Sequence, residues 1–167
     1  MPSVALIDPS QNEFLASLEA KAKQPNPFFR AMAHRPDVLK TFVPLYVALM
    51  GPGSVERRIK TLLYLACSYA NRCAFCIAAN TPGARKAGVT EQELQSLKDE
   101  WDDGFTEAER AAIRYARELT RTADAMATRA AVLEHFTDEQ VLEMTLVVSM
   151  ANFTNRFNNG LQILPEA

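Results

Sequence analysis

The hydrophobic residues of this chain recur about every 3.6 residues, which is the spacing of α-helices. In the stretch "ERRIKTLLYLACSYA" the residues that share one side of a helix are Ile59, Leu62, Leu63, Ala66, Tyr69 and Ala70. The stretch "TEAERAAIRYARELTR" repeats the pattern with its charges on the opposite side. The segment from Thr137 to about Asn158 is partly hydrophobic all round, which predicts a central helix or one covered by a partner chain.

Helix-start signals are frequent. In a capping box, a Ser or Thr side chain accepts a hydrogen bond from the backbone N–H three residues later, and the Glu or Gln at that later position accepts one from the N–H of the Ser or Thr. The sequence predicts four such boxes: Ser10 with Glu13, Thr90 with Glu93, Thr106 with Glu109, and Thr137 with Gln140. Asn26 and Pro27 are typical of a short helix's first residues. A further helix is expected from Pro36 to Gly51, kinked or divided at Pro44. Strand signals are scarce, so the sequence predicts an all-α fold of about seven helices in a single domain.

Composition and charge exclude several classes of function. The 167 residues carry a formal net charge of −2 and no basic stretch, which argues against a nucleic-acid partner or an anionic membrane. The longest hydrophobic runs, "VPLYVALM" and "VLEMTLVVSMANF", are too short or too interrupted to span a bilayer. The N-terminal residues lack the pattern of a signal peptide. We therefore expect a cytoplasmic protein with no membrane partner.

Two cysteines stand one helical turn apart in the stretch "NRCAFCIAAN". In a helix the Cβ atoms of Cys73 and Cys76 would lie about 5–6 Å apart, so a small adjustment would allow a disulfide. We expect Asn71 to cap this helix and Cys73 to lie in its first turn, where unpaired N–H groups favour a thiolate. Reactivity also requires that one sulfur is exposed to solvent and that the other lies one turn behind it.

Three interpretations of the cysteine pair remain open. A reactive thiol pair is one, because C-x-x-C in a reducing compartment is typically catalytic or metal-binding. Packing in the core is the second, since free cysteine behaves as a small hydrophobe. A zinc site is the weakest, because two cysteines supply half of the usual ligands and His34 and His135 are distant in sequence. No metal site is therefore expected, and Cys67, inside the preceding hydrophobic helix, is assigned to the core.

The run "RRIKTLLYLACSYANRCAFCIAANTPGARKAGVTEQELQSL" resembles the core of the carboxymuconolactone decarboxylase superfamily, in its alkylhydroperoxidase D-like (AhpD-like) branch. The similarity extends over residues 28–165 and includes the closing segment "FTDEQVLEMTLVVSMANFTNRFNNG". The resemblance implies an all-helical AhpD-like domain over residues 28–167, preceded by an N-terminal helical arm over residues 1–27. It also implies a homo-oligomer, either a trimer or a hexamer. We expect no cofactor.

The same resemblance implies a mechanism. A peroxide would oxidise Cys76 to a sulfenic acid, Cys73 would resolve it to a disulfide, and an external thiol would reduce that disulfide. The family's relay histidine and glutamate are replaced here by Asn80 and Thr61, neither of which titrates near neutral pH. We therefore expect a weak thiol-dependent peroxidase or disulfide oxidoreductase. The alternative is a catalytically silent oligomer with a binding or scaffold role.

Overall fold

The computed structural model describes residues 1–165, and every regular element in this part of the chain is helical. After a short 3₁₀ helix at Pro9–Gln11, these residues form nine α-helices: α1 (Glu13–Ala22), α2 (Pro27–Met32), α3 (Pro36–Met50), α4 (Arg57–Ala70), α5 (Ala74–Lys86), α6 (Glu91–Asp99), α7 (Glu107–Thr122), α8 (Arg129–Leu133) and α9 (Asp138–Gly160). The all-α prediction is confirmed. The prediction of about seven helices is close to this count; α8, with five residues, is a helix whose start the sequence signals did not indicate.

Helix α4 runs through the middle of the bundle and contacts α5, α6, α7 and α9. All of its residues from Lys60 to Ser68 are buried. The helix predicted from the hydrophobic spacing of this stretch is confirmed, and its burial extends beyond the hydrophobic side to Lys60, Thr61 and Ser68. Helix α9, which was predicted to be central or partner-covered, packs against α4 and leaves Leu142, Leu146 and Phe153 exposed in the single chain. The central position therefore belongs to α4, the helix that leads into the cysteine pair.

The predicted helix starts are largely present. The capping boxes at Thr90, Thr106 and Thr137 form as expected, and Asn26 caps α2 through hydrogen bonds from two backbone N–H groups. The capping box at Ser10 was wrong, since Ser10 lies inside the 3₁₀ helix and α1 is capped by Asn12 instead. Short polar side chains compete for helix starts when several stand close together in sequence.

The sequence predicted that Pro44 would kink or divide helix α3; the helix is continuous through this residue, so it is not divided, and a kink stays a prediction. A proline removes one donor and leaves the carbonyl four residues earlier without its helical partner. Here that carbonyl belongs to Lys40, an exposed residue. Water can satisfy an exposed carbonyl, which explains why the helix continues.

The N-terminal residues are tied to the rest of the bundle by backbone hydrogen bonds. The Ser3 N–H donates to the Leu161 carbonyl at 2.8 Å, and the Ile7 N–H donates to the Arg30 carbonyl at 3.2 Å. The division into an arm over residues 1–27 and a domain over residues 28–167 stays a prediction, and residues 166–167 lie outside the described part. None of the helices formed by residues 1–165 combines the length and the hydrophobicity that a membrane crossing requires.

A buried ion pair joins α4 to α9. The Lys60 side chain is 0% exposed, and its Nζ contacts the Glu143 carboxylate. The same ammonium donates to the carbonyls of Leu49 and Gly51 at 3.0 and 2.6 Å. Burial alone would raise the pKa of Glu143, but hydrogen bonds from Lys60 and Ser54 outweigh it and lower the pKa to about 2. The pair thus fixes the turn between α3 and α4 against α9.

We expect Glu143→Gln to lower the free energy of unfolding by about 3–5 kcal/mol at pH 7, because the Lys60 ammonium is left buried without a counter-charge. In the native protein, the stabilisation from this carboxylate is present above its usual pKa of 4.5 and is lost as the pH falls toward about 2. Urea denaturation followed by circular dichroism measures both effects. The control, Lys60→Met combined with Glu143→Leu, removes both charges and should recover much of the loss. A Glu143→Gln variant as stable as the wild type would contradict this role.

Candidate active site

The turn between α4 and α5 places the cysteine pair. Helix α4 ends at Ala70, and Arg72 adopts a left-handed conformation with a φ of 54°. The N–H groups of Arg72 and Cys73 donate to the carbonyls of Tyr69 and Ser68 at 3.0 and 2.9 Å. These two bonds form a Schellman motif, which satisfies the last carbonyls of a helix. Asn71 and Arg72 thus lie between the end of α4 and Cys73, and Cys73 directly precedes α5.

Cys73 is itself the N-cap of α5, because its Sγ accepts the N–H of Cys76 at 3.3 Å. The prediction that Asn71 caps this helix was wrong, since Asn71 is the C-cap of α4 and the Schellman turn follows it. Cys73 consequently lies at the cap rather than in the first turn, and the first turn contains Cys76. A side-chain acceptor at the cap satisfies one of the unpaired N–H groups at a helix start.

Both sulfurs of the pair are buried, with Cys73 0% and Cys76 2% exposed. The expectation that one sulfur would face bulk solvent was therefore wrong, because the packed helices enclose the turn. Cys76 instead lines a cavity of about 460 Å³, and Cys73 does not. This volume is typical of small-molecule sites. Both cysteines are free thiols, and the cavity offers access to the pair at Cys76.

The cavity has aromatic walls and an exposed rim. Its aromatic lining consists of Phe28, Phe29, Phe42, Tyr46, Tyr64 and Phe75. At the rim, Gln24, Pro25 and Pro82 are exposed to solvent. Within residues 1–165 no Asp, Glu, His, Lys or Arg lines this cavity. It is therefore suited to an uncharged organic molecule that packs against aromatic rings.

Relative to an ordinary cysteine, the pKa of the Cys76 thiol is lowered and the pKa of the Cys73 thiol is raised. The hydrogen bond from Cys73 lowers the pKa of Cys76 to about 7, although burial opposes this shift. The hydrogen bond that Asn158 Nδ2 donates to the Cys76 sulfur at 3.3 Å acts in the same direction as Cys73. The bond between the thiols, together with burial, raises the pKa of Cys73. Near neutral pH the thiolate therefore forms at Cys76, and Cys73 keeps its proton.

Helix α9 holds the α4–α5 turn through an asparagine ladder, which comprises Asn152, Asn155, Asn158 and Asn159. The Asn71 side chain donates to Oδ1 of both Asn152 and Asn155 at 2.9 Å. Asn159 Nδ2 donates to the backbone carbonyl of Asn71 at 2.8 Å. The ladder thus binds both the side chain and the backbone of the residue that ends α4.

Asn158 extends the ladder to the reactive sulfur. Its Nδ2 donates to Cys76 Sγ at 3.3 Å. Asn155 Nδ2 donates to the Ser68 hydroxyl at 3.2 Å, close to where the backbone of Cys73 is anchored. Neutral amide donors near a sulfur favour its thiolate without introducing a second titrating group.

The resemblance placed Asn80 and Thr61 at the positions of the relay histidine and glutamate. In the structure these two residues lie in different surroundings. Asn80 lines the cavity, where its Nδ2 donates to the Cys76 carbonyl at 2.8 Å and its Oδ1 accepts from the Tyr46 hydroxyl at 3.4 Å. Thr61 is buried in α4 and does not line the cavity. Its hydroxyl donates to the Arg58 carbonyl at 2.8 Å. The structure therefore brings Asn80, but not Thr61, to the cavity wall beside Cys76.

Sequence reasoning missed several polar residues of the site. Tyr64 and Thr154 line the cavity with their hydroxyl oxygens 2.5 Å apart, and Asn158 lies beside them. Burial raises the pKa of both Tyr46 and Tyr64, so both keep their protons at neutral pH. The stretch "NFTNRFNNG" could have indicated Asn158, because the asparagines at 152, 155 and 158 share one helix face.

The remaining candidate residues are structural. Cys67 is 0% exposed and accepts a hydrogen bond from Thr120 at 3.2 Å, and burial raises its pKa to about 12, so its assignment to the core is confirmed. The ring of His34 contacts the Ala5 carbonyl at 2.7 Å. Among residues 1–165 no group of three or more Cys, His, Asp or Glu side chains is arranged to hold a metal ion.

Comparison with known proteins assigns the chain to a family. Residues 36–118, which include the cysteine pair, match the family model of the carboxymuconolactone decarboxylase family. The uncharacterized protein YdfG of Bacillus subtilis is 33% identical over 113 residues, which cover 64% of this chain and 75% of YdfG. The chain belongs to the carboxymuconolactone decarboxylase family.

Solved structures place this family member in the AhpD fold. A peroxidase-related protein from Ralstonia eutropha JMP134 with an alkylhydroperoxidase AhpD core superposes with a TM-score of 0.82 at 22% identity, covering 99% of this chain and 91% of that one. The debrominase Bmp8 superposes with a TM-score of 0.83 at 18% identity, covering 97% and 91%. At these identities the likeness concerns the fold.

We expect iodoacetamide to alkylate Cys76 of this family member with a rate that rises through a midpoint near pH 7, because the thiolate is the reactive form. An unperturbed cysteine would show a midpoint of about 8.5. Cys73→Ala should move the midpoint upward, since it removes the largest contribution that lowers the pKa. Peptide mass spectrometry measures each site, and Cys67 is the internal control that stays unmodified. If Cys76 of the folded protein did not react with iodoacetamide at any pH, the lowered pKa assigned to its thiol would be contradicted.

Proposed function

We propose that this protein is a thiol-dependent oxidoreductase that reduces peroxides through Cys76, with Cys73 as the resolving thiol and an external thiol as the reductant. One observation supports this proposal above the others. Of the three cysteines, Cys76 alone lines the aromatic cavity, and Cys73, whose sulfur accepts the Cys76 N–H at 3.3 Å, makes the largest contribution that lowers the pKa of its thiol. A cytoplasmic location, where thiols stay reduced, suits this chemistry.

The reaction begins with attack of the Cys76 thiolate on the terminal oxygen of a hydroperoxide. An S–O bond forms, the O–O bond breaks, and the leaving alkoxide takes a proton from water. Cys73 then attacks the sulfenic sulfur, an S–S bond forms, and hydroxide leaves as water with the Cys73 proton. An external thiolate attacks at Cys76 and releases Cys73, and a second external thiol completes the exchange. The cycle moves two electrons from the external thiols to the peroxide.

The composition of the cavity wall limits both substrate and rate. With no charged side chain on the described wall, the cavity favours a neutral peroxide over a carboxylate substrate of the decarboxylase type. Asn80 offers no titrating group beside Cys76, so general acid–base help of about 10²–10⁴-fold is forgone. We therefore propose a slow peroxidase, whose rate depends on the population of the Cys76 thiolate.

We expect Cys76→Ser to reduce hydroperoxide consumption in the presence of a dithiol to the uncatalysed rate, because the attacking sulfur is removed. Without an external thiol, reduced Cys73→Ser should consume one equivalent of hydroperoxide and stop at a sulfenic acid on Cys76, which dimedone traps and mass spectrometry detects. Cys67→Ala is the matched control and should leave turnover unchanged, since this cysteine lies outside the cavity.

Full activity in Cys76→Ser would contradict the proposal. An unreactive wild type with a correct fold would instead support the silent binding or scaffold role.

A second candidate is reductive dehalogenation of a small aromatic ring, which the aromatic cavity and the structural likeness to the debrominase Bmp8 favour. That reaction would replace a C–Br bond by C–H, release bromide and oxidise two thiols. Bromide release from 2,3,4-tribromopyrrole, the compound bound in one Bmp8 structure, distinguishes it from peroxide reduction.

We also propose that the protein is a homo-oligomer, a trimer or a hexamer. The support lies in hydrophobic side chains that the single chain leaves exposed on α3 and α9: Leu45, Val47, Leu142, Leu146 and Phe153. Leu142, for example, is 62% exposed in the single chain. Exposed hydrophobic patches of this kind are typical of interfaces between proteins.

We expect the double variant Leu142→Glu and Leu146→Glu to dissociate this oligomer, because buried carboxylates in a hydrophobic interface lack partners. Light scattering coupled to size-exclusion chromatography measures the mass of each species. Met126→Glu is the matched control, since Met126 is exposed but lies outside α3 and α9. A monomeric wild type at micromolar concentration would contradict the oligomer.

A further inference from the structure

The Asn158 carboxamide contains an unpaired acceptor beside the reactive sulfur. Asn158 is 1% exposed, and its Oδ1 accepts no hydrogen bond from any of residues 1–165. No other buried side-chain nitrogen or oxygen in this part of the chain lacks a partner. Buried polar atoms are nearly always paired, so an exception on a cavity wall points to a ligand. The missing partner must be a donor, since a carbonyl oxygen can only accept.

The orientation of this carboxamide follows from its neighbour. Its Nδ2 lies 3.3 Å from Cys76 Sγ, and only the NH₂ group can face a thiolate favourably, because a carbonyl oxygen would be repelled. Since Nδ2 is bound to the sulfur, Oδ1 is the polar atom of this wall residue that still needs a donor. A molecule that donates to Oδ1 therefore comes to rest next to the nucleophile.

We propose that Asn158 is the residue that binds and orients the substrate: its Oδ1 accepts the O–H of a hydroperoxide while its Nδ2 holds the Cys76 sulfur. This inference rests on the proposed peroxidase function and adds the group that a substrate must carry. The hydroxyl oxygen of a hydroperoxide is also the atom that the thiolate attacks. One carboxamide thus contacts both reacting atoms and brings them toward the separation of about 3–3.5 Å that attack requires.

The same contact survives the reaction. When the O–O bond breaks, the terminal oxygen and its hydrogen pass to Cys76 as a sulfenic acid, and the alkoxide leaves with a proton from water. The sulfenic O–H remains a donor and can keep its bond to Asn158 Oδ1. Asn158 therefore holds the intermediate until Cys73 attacks its sulfur.

The proposal selects among substrates that react with thiolates. A hydroperoxide satisfies Oδ1, whereas a disulfide or thiosulfonate without O–H or N–H groups leaves this buried acceptor unpaired, which disfavours binding. The organic part of the hydroperoxide would pack against the rings of Phe28 and Phe42, whose centroids lie 5.2 Å apart, and of Phe75. The preferred substrate is thus a neutral organic hydroperoxide.

The test compares two reagents on the full-length reduced protein. Cumene hydroperoxide carries the O–H donor, and methyl methanethiosulfonate reacts with thiolates but has no donor. Stopped-flow measurement gives the rate constant of Cys76 with each, and their ratio cancels any change in the thiolate population. We expect Asn158→Leu, which is nearly isosteric, to lower this ratio at least about tenfold. Cys67→Ala, which changes a buried residue outside the cavity, should keep the ratio of the wild type.

Each outcome decides the matter. An unchanged ratio in Asn158→Leu, with hydroperoxide oxidation of Cys76 intact, would overturn the role of Asn158 and leave the proposed function standing. A wild type that hydroperoxide does not oxidise would overturn both. If Asn158→Leu does not fold by circular dichroism, Asn158→Ala is measured in the same way. If neither folds, the wild-type ratio is compared with that of free cysteine: a ratio about tenfold higher in the protein supports the proposal, and an equal ratio overturns it.

Discussion

The position of the reactive thiols depends on the amide hydrogen bonds by which α9 holds the turn between α4 and α5. Asn71 ends α4, and its side chain and carbonyl are both bound by asparagines of α9. The left-handed Arg72 follows, a conformation that costs about 1–2 kcal/mol in a residue other than glycine. These bonds offset that cost, and with the turn fixed Cys73 can serve as the N-cap of α5 and place Cys76 one turn on.

This arrangement reconciles burial with reactivity. A thiol sealed among hydrocarbon side chains is inert, as Cys67 illustrates with a pKa raised to about 12. Cys76 is almost as inaccessible to solvent, yet Cys73 lies beside it, Asn158 donates a hydrogen bond to its sulfur, and its pKa is lowered. What separates the two cysteines is therefore the polarity of the immediate neighbours and the cavity beside one of them, rather than exposure.

The sequence predicted the elements of this fold better than their surroundings. Capping boxes and helical periodicity are local, so three of the four predicted boxes and the all-α class were right. The cap of α5 was misassigned because Asn71 and Cys73 are both able to cap, and only the contacts of Asn71 with α9 decide between them. Whether the cysteine pair is exposed, and which residues line the cavity, depends on contacts between residues some 80 positions apart in the sequence. No local sequence pattern encodes such contacts.

Because Asn80 is a neutral amide, its position on the cavity wall beside Cys76 carries no titrating group. On the described cavity wall, the groups that titrate are Cys76, Tyr46 and Tyr64, and burial keeps both tyrosines protonated at neutral pH. The charge state of the cavity near pH 7 thus reduces to one sulfur, whose pKa the Cys73 thiol and the asparagines of α9 set. Because an amide can donate and accept but cannot exchange protons with the substrate, such a site can orient and polarise but must take protons from water. The geometry of the site therefore depends on the carboxamides of α9, of which Asn158 contacts the Cys76 sulfur directly.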